Sequence, residues 1–193
     1  MVFETLTSQE RREIARRHLD ALESWLRRLI DRQLRERYGP DYFDGNLASG
    51  EPLIPRRIRE RAEIRLRDEP QRFPRLIDAT TLDDVIDIVL HPSLYEEFFR
   101  PAIVRVFPEG PPEARTFFGR LVVHRNIVQH VGEISARGAE QCVCYSNDVI
   151  YAIRDFFASE GLARQYNVRP LFVSSTIRET PITSHPMHPA TWF

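Results

Sequence analysis

The segment Thr7 to Pro40 reads TSQERREIARRHLDALESWLRRLIDRQLRERYGP, and it decides the fold class. Thr7, followed three residues later by Glu10, has the spacing of a capping box, in which side chain and backbone satisfy each other's orphan groups at a helix start. After it, Ile14, Leu19, Leu22, Trp25, Leu26, Leu29, Ile30 and Leu34 recur at helical spacing, with charged residues between them. The pattern predicts a helix from about Ser8 to about Tyr38, stopped at Gly39-Pro40. So long an amphipathic helix must bury its apolar stripe against other elements.

Working outward, those elements also read as helices. Asp41 to Pro55 contains Gly45 and Gly50 and two further prolines, so it is a loop. Pro55 to Asp68 carries six arginines against Glu60, Glu63 and Asp68 and reads as a short helix ended by Pro70 and Pro74. Thr81 caps a helix from Leu82 to Leu90, whose acidic first turn suits the helix dipole. Ser93 and Glu96 have capping-box spacing and open a helix from Leu94 to Phe107, kinked at Pro101. Pro111-Pro112 starts a helix from about Glu113 to Val131, closed by Gly132. A last helix runs from about Ala139 to Ser159, with a break expected at Ser146-Asn147 and a stop at Gly161. From Tyr166 onward the chain is proline-rich and mixes β-branched with aromatic residues. The expected architecture is an all-α, up-and-down helical bundle over residues 1–165 with a non-helical, extended C-terminal tail over 166–193.

Composition narrows the chemistry. The chain has 193 residues and a formal net charge of −1, and all 27 basic residues are arginine. Without lysine there is no Schiff base, no lysine general base and no P-loop lysine. Near-neutrality argues against a nucleic-acid binder that works through whole-protein charge. Cys142 and Cys144 are the only cysteines, too few for a disulfide framework or a zinc site. The N-terminus lacks the features of a secretory signal, and no apolar run approaches the roughly 20 residues of a membrane span. These features point to a cytoplasmic protein with no membrane association. His185 and His188 lie three apart in the tail without a nearby carboxylate or cysteine, so no metal is expected there. Asp83, Asp84 and Asp87 read as a solvated helix start, His18 as solvated, His124 as buried and hydrogen-bonded, and His91 as an aid to a helix C-terminus.

One short run carries chemistry: Arg125-Asn126-Ile127-Val128-Gln129-His130. It resembles the R-(N/D/H)-x-x-x-H motif of the HEPN superfamily. The flanking layout is also similar to one branch of it. A tryptophan-containing first helix leads into Arg37-Tyr38-Gly39-Pro40-Asp41-Tyr42-Phe43, and Leu82-Asp83-Asp84-Val85-Ile86 and Phe98-Phe99 follow where that branch has its middle helices. That branch includes the C-terminal module of a eukaryotic nuclear mRNA-surveillance endonuclease and many bacterial domains. The resemblance covers roughly residues 8 to 160. It implies a four- or five-helix bundle that dimerises with its two motifs face to face. It also implies either a metal-independent RNA endonuclease, with no cofactor, or a non-catalytic binding or assembly module. Some members are toxins held by an antitoxin partner.

Helical geometry adds a constraint of its own. Phe117, Leu121, His124, Val128 and Val131 share one face, while Asn126 and His130, four apart, share another. Arg125 lies about 140° around the helix from His130. One helix does not easily bring that guanidinium onto the imidazole, whereas two copies related by a two-fold axis bring both into one cleft. In the catalytic reading His130 exchanges protons with the RNA 2′-hydroxyl or the leaving 5′-oxygen, Arg125 holds the scissile phosphate, and Asn126 orients the imidazole or donates to the phosphate. DNA, lacking the 2′-hydroxyl, is inert. The rival reading is a dimerisation module that binds a partner protein or a nucleotide. Arg57, Arg61 and Arg65 form a second stripe, read either as a salt-bridged face or as an RNA-phosphate track.

Overall fold

Thr7 accepts a hydrogen bond from the Glu10 amide, and the Glu10 carboxylate accepts one from the Thr7 amide, opening helix α1 (Ser8–Tyr38). Gly39 ends it at φ 84°, a left-handed conformation that only glycine adopts without strain. The structure, a computed structural model, describes residues 2–130 and 132–162. The tail from Tyr166, the histidine pair in it, and Val131 lie outside the described residues.

Further along the chain come α2 (Arg56–Asp68), α3 (Leu82–Val89), α4 (Pro92–Leu94), a π-helical turn (Tyr95–Phe99), α5 (Arg100–Ile103), α6 (Pro111–Gln129) and α7 (Ala136–Ser159). A 3₁₀ turn at Leu76–Ala79 leads into α3. The protein is an all-α helical bundle. Its long axis is α1, which packs most extensively on α7 and then on α3 and α6. Leu22, Leu26, Leu29 and Ile30 of α1 are fully shielded, together with Val85 and Ile88 of α3, Phe118 and Leu121 of α6, and Ile153 and Phe157 of α7. Each such side chain contributes about 1.5–3 kcal/mol relative to exposure. Trp25 faces Phe157 across the α1–α7 seam, ring centroids 6.2 Å apart.

Three local expectations change. Ser93 is not a cap; His91 is, its Nδ1 accepting from the Ser93 amide at 3.3 Å, with Pro92 filling the first helical position. The helix expected from Leu94 to Phe107 ends at Ile103 and opens into a π turn before Pro101, where Arg100 donates to the Tyr95 carbonyl five residues back. Proline has no amide hydrogen and crowds the carbonyl four residues earlier, and the wider turn accommodates both. Helix α7 runs unbroken through Ser146 and Asn147. Ser146 is fully buried, and the Asn147 side chain hydrogen-bonds His18 of α1, so it does not compete for its own backbone.

That contact also corrects the reading of His18 as solvated, since it is only 6% exposed. It lies four residues before Leu22 and seven before Trp25, on the apolar stripe itself. Burial lowers its pKa, and the Asn147 hydrogen bond only partly opposes this. A histidine held neutral in the fold but free to charge when unfolded stabilises above its unfolded pKa. That contribution falls as pH drops below about 6.5. Between pH 7.5 and pH 5.5 the melting temperature of wild type is expected to fall more than that of His18→Leu. Parallel thermal melts check this, and equal falls would remove the assignment.

Candidate functional site

The site is built around the last two turns of α6. Gly110 and Pro111 set the helix start, and the Gly132 amide closes its end on the Ile127 carbonyl at 2.9 Å. His130 caps the C-terminus, its amide donating to the Asn126 carbonyl and its side chain exposed. Asn126 is likewise exposed, one turn below. Arg125 turns the other way: its side chain is 19% exposed, lies 3.6 Å from Asp83 of α3, and donates to Asn126 Oδ1 at 3.2 Å. Its Nε is buried and has no hydrogen-bond partner among the described residues. Arg125 and Asn126 are thus brought together within one chain, and His130 stands apart from that guanidinium, as helical geometry requires.

Among the described residues the outward side of α6 is uncovered. Thr116, Gly119, Val123 and His130 fall within about 60° of one another on the helix. Val123 is 58% exposed, and a Cβ on Gly119 would meet nothing within 4 Å. His124, on a different face, is half-buried and shares a 3.0 Å hydrogen bond with Gln141 of α7.

On its other side α6 borders a cleft of about 980 Å³, walled by α1 and by the chain from the end of α2 to Thr81. Six arginines line it: Arg12, Arg16, Arg27, Arg65, Arg72 and Arg125. Four acids share it: Asp20, Glu23, Glu69 and Asp78. Two of the arginines are wall. Arg27 is bonded to Glu23 and the Thr80 carbonyl, and Arg65 bonds the Ala79 carbonyl at 3.0 Å and Asp84 at 3.1 Å. Others are loosely held. Arg16 is 3.8 Å from Asp20 with both side chains about two-thirds exposed, and Arg12 makes no ion pair among the described residues. Burial raises the carboxyls of Asp20 and Glu23, and the neighbouring arginines, Arg125 among them, pull them back only in part. At the mouth, the Arg72 guanidinium sits 4.9 Å from the centroid of the half-exposed Phe73 ring.

The stripe on α2 has other partners. Arg57 bonds Asp87 at 2.6 Å, and Arg61 and Arg65 both bond Asp84. The salt-bridged alternative therefore describes these side chains, though their partners lie on α3 and not on α2. Asp84 is fully buried and Asp87 is 29% exposed, which corrects the reading of these two as part of a solvated helix start; Asp83 is 47% exposed. Burial alone would push the Asp84 carboxyl up; the Thr81 amide and hydroxyl and the two guanidiniums outweigh it and hold the carboxyl below its ordinary value. Cys142 is buried, its thiol pushed up to about 12 by desolvation, and Cys144 is exposed.

Arg12, Arg16, Asp20, Glu23, Arg72 and Phe73 were not singled out by pattern. On α1 the first four sit at spacings of three and four, a readable polar stripe, but nothing in the sequence says that Arg125 and Phe73 face it. Among the described residues no helix is long and apolar enough to cross a membrane, and no three His, Cys, Asp or Glu side chains gather to hold a metal ion. No family model, no curated protein and no solved structure matches the chain.

Proposed function

We propose that the protein is a metal-independent RNA endonuclease acting as a homodimer, in the manner of the HEPN proteins its motif resembles. The observation that carries this reading is the free end of α6. There an exposed imidazole stands at the head of a helix face that is uncovered among the described residues, one turn above an exposed asparagine, with Arg125 about 140° around the helix on the cleft side. A second copy laid along the face of Gly119 and Val123 with its α6 parallel, about a two-fold axis running along the helix, brings the two His130 side chains to one level and covers Val123. One His130 takes the proton of the RNA 2′-hydroxyl as that oxygen attacks the adjacent phosphorus. The other gives a proton to the departing 5′-oxygen, leaving a 2′,3′-cyclic phosphate and a 5′-hydroxyl. Arg125 reaches the phosphate from the cleft side and stabilises the charge on its non-bridging oxygens.

Single-stranded RNA incubated with the protein in EDTA is expected to be cut to products ending in 2′,3′-cyclic phosphate, and DNA of the same sequence to stay intact. Sedimentation is expected to give a dimer. RNA that survives in EDTA, or a monomer in solution, would overturn the reading.

A second reading is favoured by one observation: Arg125 lines a cleft whose lining does not include His130, which lies about 140° around α6 from it. In that case the chain is a non-catalytic module that binds a nucleotide or partner. Arg125→Ala then weakens ligand binding, His130→Ala changes nothing, and no RNA is cut.

A further inference from the structure

We infer that the cleft between α1, the Arg72–Thr81 segment and α6 holds a single strand of RNA, its phosphates along Arg12, Arg16 and Arg125 and one base on Phe73. This rests on the RNA-cleaving reading and extends it from the end of α6 to the surface that holds the substrate.

Charge is the first support. The chain as a whole carries a net −1, yet this concavity gathers six arginines against four acids. A concave positive surface focuses its field and attracts a phosphodiester more strongly than the same charges on a convex face. The arginines divide by role. Arg27 and Arg65 are tied to carboxylates and backbone carbonyls and shape the wall. Arg12 and Arg16 have loose carboxylate partners or none among the described residues, so their donors are available to an incoming anion; Arg125, 19% exposed with its Nε buried, offers only the part of its side chain that lines the cleft.

Geometry is the second. Arg12 and Arg16 lie one turn apart on α1, about 6 Å along the axis. That is of the order of the step between neighbouring phosphates in an extended strand. Phe73 at the mouth presents a half-exposed ring already in contact with a guanidinium, the combination on which an unpaired base stacks. The carboxylates set the direction. Asp20 and Glu23 repel phosphate, so the backbone follows the arginines and the bases turn toward the carboxylates, which accept from exocyclic amino groups. A base paired in a duplex offers no free face to Phe73, so the ligand is single-stranded.

The test uses the full chain carrying His130→Ala, so that bound RNA is not cut, and a fluorescein-labelled 12-nucleotide strand of mixed cytidine and uridine. Anisotropy titrations at several salt concentrations give the slope of log K against log salt. Arg12→Gln and Arg16→Gln are each expected to reduce that slope by about 0.7, and Phe73→Ala to weaken binding about tenfold or more. Arg100→Gln, on α5, serves as the control and is expected to change neither. Circular dichroism establishes that each variant is folded. Unchanged slope and affinity in folded Arg12→Gln, Arg16→Gln and Phe73→Ala, or no binding at all, would overturn the inference. The two readings fail separately. Binding that depends on Arg12 and Phe73 in a protein that never cuts RNA keeps the cleft and removes the nuclease. Cutting with an unchanged KM in Arg12→Gln and Phe73→Ala keeps the nuclease and removes the cleft.

Discussion

Alanine at His130 is expected to lower the rate of RNA cleavage by roughly 10²–10⁴-fold, the usual contribution of a positioned proton donor or acceptor. The fold should not change, because the imidazole is exposed at a helix C-cap whose hydrogen bond comes from the backbone. Wild-type and variant melting temperatures within about a degree of each other are the control. In a homodimer both copies contribute, so a mixed dimer with one His130→Ala chain loses one of the two proton-transfer roles. Arg125→Lys is not expected to restore an Arg125→Ala loss, since an ammonium lacks the planar fork that grips two phosphate oxygens. Equal cleavage by wild type and His130→Ala would show that the motif does no chemistry.

The second large effect is on stability. Asp84→Ala is expected to destabilise the protein by about 3 kcal/mol. About 1 kcal/mol of this is the reciprocal half of the capping box, in which the Asp84 carboxylate accepts from the Thr81 amide and hydroxyl, and about 2 kcal/mol the charge-assisted hydrogen bonds to Arg61 and Arg65. The guanidiniums are 48% and 33% exposed and are rehydrated when the carboxylate goes. Removing them instead is different in kind, because Arg61→Ala with Arg65→Ala leaves a buried carboxylate with only Thr81 for company. The Asp84 carboxyl lies below its unfolded value in the fold, so its stabilisation is fully present above the unfolded pKa of about 3.9. It is lost as pH falls through the folded value. Without the arginines the carboxyl titrates higher, and the acid-unfolding midpoint should move to higher pH. Urea midpoints for Asp84→Ala and acid titrations of the double variant, both followed by circular dichroism, check the pair. Unchanged midpoints would mean that the α2–α3 contact is held by packing alone.

Much of the helix pattern was legible because its signals are local. Thr7 with Glu10, Thr81 before its acidic turn, Gly39 with Pro40 and Gly161 each act within one or two turns, and a capping or φ requirement acts the same way wherever the chain goes. The errors came where a local signal met a distant partner. Ser93 has the look of a cap, but Pro92 placed the helix start two residues earlier and gave the role to His91. Asn147 looks like a helix breaker until His18 supplies its hydrogen bond from across the α1–α7 seam. His18 itself was readable, since it keeps step with Leu22 and Trp25, but its charged neighbours obscured the spacing.

The candidate site divides along the same line. The sequence by itself determined that Arg125 and His130 point to different sides of one helix, because 100° per residue leaves no other arrangement. It also determined the all-α class, through the unbroken apolar stripe from Leu19 to Leu34. Only the tertiary structure decided which arginines are free. Arg57, Arg61 and Arg65 look like a phosphate track in one dimension, yet the packing of α2 on α3 ties them to Asp84 and Asp87. Arg12, Arg16, Arg72 and Phe73, unremarkable in sequence, gather around Arg125 in one cleft. A guanidinium's availability depends on which carboxylates the fold brings within hydrogen-bonding distance, and that is a property of packing across tens of residues that no local spacing encodes.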